Sequence, residues 1–122
     1  MKTILFIEDE PTIQKTISRY LEEEGYEVKN ALDGEIGLET AKKIRPDLIL
    51  LDLILPKKDG FEVLKELKRD ETTKNIPVIT LTNLEEGENI EKVLSLGAAA
   101  YLIKANYELE EIVKKIKQVL NQ

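Results

Sequence analysis

Asp52 is a single carboxylate set among seven aliphatic residues, Leu48 to Leu51 before it and Leu53 to Leu55 after it, in the stretch DLILLDLILPKKDG from Asp47 to Gly60. Four consecutive aliphatics do not alternate with polar residues, so they predict a strand covered on both faces, as in a parallel sheet. A carboxylate in mid-sheet would be badly desolvated. The less costly arrangement puts Asp52 at the carboxyl end of the strand, in a crevice where a cation can face it, with Pro56 and the Asp59-Gly60 pair turning the chain. Other strand ends carry matching groups. The aliphatic run at residues 3 to 8 ends in Glu8 and Asp9, Val78 to Leu81 is followed by Thr82 and Asn83, and Ala98 to Ile103 is followed by Lys104.

Taken singly, these residues have plainer explanations. The acids at 8 to 10 favour a helix N-terminus, Thr82 suits any strand, and Lys104 suits a solvated strand end. Together they define a chemistry. Carboxylates converging in a crevice repel each other unless a divalent cation sits among them, and hard oxygen ligands without histidine or thiol suit Mg²⁺. One carboxylate could then attack phosphorus while the metal and the lysine ammonium neutralise phosphoryl oxygens and the hydroxyl donates a hydrogen bond to one of them. That is aspartyl-phosphate chemistry.

Composition narrows the classes. The 122 residues predict one domain spanning 1–122, with a sizeable core. A net charge of −6 argues against a nucleic-acid or anionic-membrane surface. The absence of cysteine and histidine excludes disulfides, the usual zinc sites and histidine-based catalysis. No apolar run is long enough for a signal peptide or a membrane span, which predicts a cytoplasmic protein.

The elements that must position the site alternate. Pro11 opens a helix to Glu24, with Ile13, Ile17, Tyr20 and Leu21 on one face and Gly25 at its stop. Tyr26 to Ala31 carries Glu27 and Lys29, the mark of an edge strand. Asp33 caps a second helix to about Ile44, with Ile36, Leu38 and Ala41 inward, although Gly34 and Gly37 weaken it. A third helix runs from Gly60 to Arg69 on Phe61, Val63, Leu64 and Leu67. A fourth starts among Glu85, Glu86 and Glu88, uses Ile90, Val93 and Leu94, and stops near Gly97. The last, Glu108 to Leu120, is the clearest amphipathic pattern, with Asn106 as a candidate cap. Strands alternating with helices over short connections predict a parallel sheet with helices on both faces, and its ligands bind beyond the carboxyl ends of the strands.

With IEDEP after strand one, LILLDLILPKKDG around strand three, IPVITLT on strand four and GAAAYLIK on strand five, the chain resembles the receiver domain of two-component response regulators from end to end. The resemblance implies a flavodoxin-like doubly wound sheet of order 2-1-3-4-5. It further implies that Asp52 accepts a phosphoryl group from a sensor histidine kinase or a histidine phosphotransfer protein. Asp9 would ligate Mg²⁺ directly, Glu8 through a metal-bound water, and Ile54 by its backbone carbonyl. Thr82 would be the switch hydroxyl, Tyr101 the aromatic that turns with it, and Lys104 the phosphoryl partner. Three positions depart from the commonest pattern. Glu8 replaces aspartate, Asn83 stands where a small residue is usual and narrows access, and Ala105 replaces a proline. A cis bond without proline costs about 3–4 kcal/mol, so a trans peptide is expected there.

The reading is therefore a stand-alone phosphoacceptor switch, at most slowly self-dephosphorylating, whose signal leaves through a surface read by a separate effector protein. A receiver-like interaction domain that is never phosphorylated is the alternative, and the retained Asp9, Asp52, Thr82 and Lys104 speak against it. A haloacid-dehalogenase type phosphatase would want an acid where Ile54 stands. A flavin carrier would want a phosphate cradle where the acidic loop lies.

Overall fold

The computed structural model describes every residue except 84–86 and 107, with the backbone alone at Asn106. The predicted helix start at Glu85 and Glu86 and the Asn106 side-chain cap therefore lie outside the described residues. The elements are β1 (Thr3–Ile7), α1 (Pro11–Glu23), β2 (Glu27–Ala31), α2 (Gly34–Ile44), β3 (Leu48–Leu51), α3 (Gly60–Arg69), β4 (Val78–Thr82), α4 (Gly87–Ser95), β5 (Ala100–Ile103) and α5 (Leu109–Val119). The strands form one parallel sheet of order β2-β1-β3-β4-β5, in agreement with the expected fold.

Alternation along the strands explains why the aliphatic runs are unbroken. Leu5, Ile7, Ile49, Leu51 and Val78 pack beneath α2, α3 and α4. Their neighbours Ile4, Phe6, Leu48, Leu50, Ile79 and Leu81 pack beneath α1 and α5, against Ile17, Leu21, Ile112, Val113 and Ile116. Both faces are covered, so polar residues would be desolvated at Ile4 to Ile7 of β1 and at every position of β3. β2, at the edge, exposes Glu27, Lys29 and Asn30. The helix stops fall where glycine was expected, with Gly25 at φ 97° and Gly97 at φ 106°, conformations that a side chain disfavours.

Two inward assignments are corrected. Ile36 is 48% exposed, and the inward stripe of α2 is Gly34, Gly37, Leu38 and Ala41. The glycines expected to weaken α2 are what let it approach. A Cβ on Gly37 would lie 2.6 Å from Cδ1 of Ile7, and one on Gly34 would meet the carbonyl oxygen of Lys58 at 1.8 Å. Asp33 does cap the helix, accepting from the Ile36 amide at 2.8 Å. Leu94 is 45% exposed, because α4 is seated through Val93, with Leu96 and Ala98 completing the contact beyond its end.

Candidate functional site

β3 delivers Asp52 as expected. The chain leaves the sheet at Leu51, yet the Asp52 amide still donates to the Ile7 carbonyl at 3.1 Å, so the position of this residue is fixed by the ladder to β1. Asp52 is 5% exposed. Its Oδ1 accepts from the Ile54 amide at 3.2 Å and its Oδ2 from Lys104 Nζ at 3.1 Å. The loop that follows is braced. Gly60 donates to Leu53 at 2.9 Å, and a Cβ at Gly60 would come within 2.4 Å of the Asp52 carbonyl oxygen. Gly34 donates to Pro56 at 3.3 Å, and Lys58 Nζ pairs with Glu66 of α3. Asp59 closes the loop by capping α3, accepting from the Glu62 amide at 3.1 Å.

β1 ends just below the same crevice. Glu8 is 1% exposed and Asp9 is exposed. One carboxylate oxygen from each of Glu8, Asp9 and Asp52 lies within 4.8 Å of the others, a set of hard ligands that fits a small divalent cation. The carbonyl of Ile54 follows Asp52 by two residues in the same loop, and the Ile54 side chain is 58% exposed at the surface.

Glu8 has a partner that sequence spacing could not show, since the pair is 96 residues apart: Lys104 Nζ lies 2.5 Å from its Oε1. Its Oε2 accepts from the Glu10 amide at 3.1 Å, and its backbone carbonyl accepts from Gln14 Nε2 at 3.1 Å. Burial raises the Glu8 pKa, and the nearby Asp52 charge adds to it against the pull of the Lys104 hydrogen bond. For Lys104 burial acts downward, but the Glu8 hydrogen bond and the Asp52 charge outweigh it and leave the lysine pKa raised. The Lys104 side chain is 12% exposed, so one ammonium serves two buried carboxylates.

β4 and β5 bring the remaining groups. Thr82 is fully buried, and its Oγ1 has no hydrogen-bond partner among the described residues. Such a hydroxyl costs stability unless a ligand engages it. Tyr101 is in register with Thr80, so Thr82 is its diagonal neighbour on the face that α4 covers. Burial, and then the charge of Asp52, raise the Tyr101 pKa. Asn83 is exposed. The backbone contains no cis peptide among the described residues, so the Lys104–Ala105 bond is trans as expected, and Lys104–Asn106 form a single 3₁₀ turn. Glu108 precedes α5 and its side chain makes no capping hydrogen bond.

Comparison with known proteins agrees with this geometry. Residues 4–117 match the response regulator receiver domain family. The transcriptional regulator RpaA of Synechocystis is 42% identical over 122 residues, covering 100% of this chain and 50% of that protein. The chemotaxis protein CheY4 of Vibrio cholerae superposes with a TM-score of 0.90 at 31% identity, over 98% of both chains. The Mn²⁺-bound form of the response regulator Rcp1 superposes with a TM-score of 0.86 at 32% identity, over 97% of this chain and 93% of that one. The chain belongs to the response regulator receiver domain family, a class associated with phosphorylation-dependent two-component signalling. It spans about half the length of the curated relatives it matches. No helix among the described residues is long and apolar enough to cross a membrane.

Proposed function

We propose that this receiver domain, residues 1–122, is a switch that takes a phosphoryl group on Asp52 from the phosphohistidine of a sensor kinase or phosphotransfer protein. The observation that carries the reading is the buried Thr82 hydroxyl, without a partner among the described residues, set at the carboxyl edge of the sheet that also carries the acidic crevice. A protein that never bound an anion there would have no compensation for it.

In this reading Asp9, Asp52 and the Ile54 carbonyl would hold a Mg²⁺, with Glu8 in support from the same acidic cluster. The ion, when bound, screens the carboxylates and withdraws charge from the phosphoryl oxygens. Asp52 supplies the attacking oxygen, and the Ile54 amide and braced loop hold it in place. Lys104, already on Asp52, pairs with one phosphoryl oxygen, and Thr82 donates to another. Drawing the Thr82 hydroxyl inward vacates space beside Tyr101, which turns into it and alters the surface of α4, β5 and α5 that a downstream effector reads. The net charge of −6 supports a protein effector over direct contact with nucleic acid or membrane by this domain. The absence of a membrane-spanning helix among the described residues is consistent with a cytoplasmic setting.

Intact mass after incubation with a small phosphodonor and Mg²⁺ tests the proposal. One phosphoryl increment is expected, absent in Asp52→Ala and absent with EDTA. The same increment in Asp52→Ala, or indifference to EDTA, would overturn it in favour of an interaction domain or another acceptor.

A further inference from the structure

We infer that α3 forms a second mechanical link between Asp52 and α4, running through Phe61 and Lys92 and separate from the Thr82–Tyr101 route. The inference rests on the reading of Asp52 as a phosphoacceptor.

The link begins at the acceptor's own backbone. Gly60, the first residue of α3, is so close to the exit of β3 that a Cβ would stand 2.4 Å from the Asp52 carbonyl oxygen and 2.4 Å from Leu53 Cα. The Gly60 amide donates to Leu53, and Lys58 Nζ reaches Glu66 one turn and a half into α3. There is little slack between the loop and the helix. A shift of the loop when Asp52 gains a bulky dianionic group must move the first turn of α3 with it.

That first turn carries Phe61, whose half-buried ring packs on the core under α3 and α4. Lys92 of α4 places Nζ 4.5 Å from the ring centroid, within the range of a cation–π contact. Lys92 pairs with no carboxylate among the described residues, and the Phe61 ring is the contact its ammonium makes there. Seven residues along α3, on the same face, Lys68 lies under the end of α4, where a Cβ at Gly97 would be 3.3–3.5 Å from its Cγ, Cδ and Cε. Lys68 is itself anchored, donating from Nζ to the carbonyls of Lys74 and Ile76 at 3.2 and 3.0 Å.

α4 is the element most open to such influence. Val93 is the only residue of its described turns that is fully buried, whereas α3 buries Gly60, Val63, Leu64 and Leu67. A helix seated on one side chain is repositioned at little cost, so two side-chain contacts from α3 suffice to bias it.

Amide spectra with beryllofluoride and Mg²⁺ as the phosphoryl mimic separate the two routes. In Thr82→Ala, with the mimic saturating by the shifts of Asp9, Asp52 and Ile54, the amides of residues 90–95 should keep a reduced response. That response should be lost in Thr82→Ala combined with Phe61→Leu, which keeps apolar bulk without the ring. It should equally be lost with Lys92→Met, which keeps the aliphatic stem without the charge. Silence of α4 in Thr82→Ala alone, or a residual response unchanged by both Phe61→Leu and Lys92→Met, overturns the link while leaving the phosphoacceptor reading intact. No mimic-induced shift at Asp9, Asp52 and Ile54 in the wild type would overturn the parent reading and the link together.

Discussion

Lys104→Met removes the one ammonium that lies between two buried carboxylates, and its cost can be worked from the site. Nζ stands 2.5 Å from Glu8 Oε1 and 3.1 Å from Asp52 Oδ2, and those side chains are 1% and 7% exposed. Breaking a buried pair by deleting one partner costs about 3–5 kcal/mol, because the other charge is left uncompensated. Asp9 is exposed, so water reaches one side of the crevice, and the lower end, about 3 kcal/mol, is expected. For a domain of this size that lowers the thermal midpoint by roughly 10 °C. Urea unfolding at neutral pH in EDTA measures it. Glu8→Gln in the same chain should return part of the loss, since one uncompensated charge disappears, and Mg²⁺ should do the same in the single variant. The sign of the pH dependence follows from the raised pKa of Lys104. Its contribution is fully present below the ordinary lysine value of about 10.4 and is lost as pH rises through the higher folded value. The gap between wild type and Lys104→Met should therefore hold from neutrality to about pH 10 and close above it. An unchanged midpoint in Lys104→Met, or a double variant no more stable than the single one, would refute this reasoning.

Three further outcomes are expected. Thr82→Ala should weaken the response of the Tyr101 and β5 amides to a phosphoryl mimic, because the hydroxyl that vacates space is gone; an equal response would remove the coupling. Ile54→Asn should speed loss of phosphate after the donor is removed by several-fold, on the order of 1 kcal/mol of barrier, because an amide at the exposed mouth can order the attacking water. Leu84→Glu is expected to add a similar factor, although residue 84 lies outside the described residues; an unchanged or slower decay in the double variant would show that water access there does not set the lifetime. Gly60→Ala should cost about 2–3 kcal/mol, since its Cβ would press on backbone atoms at 2.4 Å that no rotamer can relieve, and a midpoint shift under a quarter of that would contradict the close packing.

Much of this protein is settled by local chemistry that sequence exposes. A short aliphatic run that does not alternate predicts a strand covered on both faces, and an acid that ends it is least costly where a cation can reach. Thus Asp52, Thr82 and Lys104 could be placed at strand ends, and Gly25 and Gly97 at helix ends, before any tertiary contact was known. Asp33 could likewise be named as a cap, because its partner, the Ile36 amide, is three residues away.

Contacts between distant segments were decided only by tertiary structure. The pairing of Glu8 with Lys104 joins residues 96 apart, and neither pattern nor propensity records which of several acids will receive the ammonium. Ile36 and Leu94 lie within helical stripes broad enough to be assigned inward, yet each is turned out. The approach of α2 to Ile7 and the seating of α4 on Val93 selected other faces. Gly37 shows the same limit from the other side. By propensity it is a weak residue in a helix, and only the 2.6 Å that a Cβ would leave to Ile7 reveals it as the condition for close packing. Periodicity fixes which residues share a face, but the distance between elements, and hence which face is used, depends on the side chains of both partners at once.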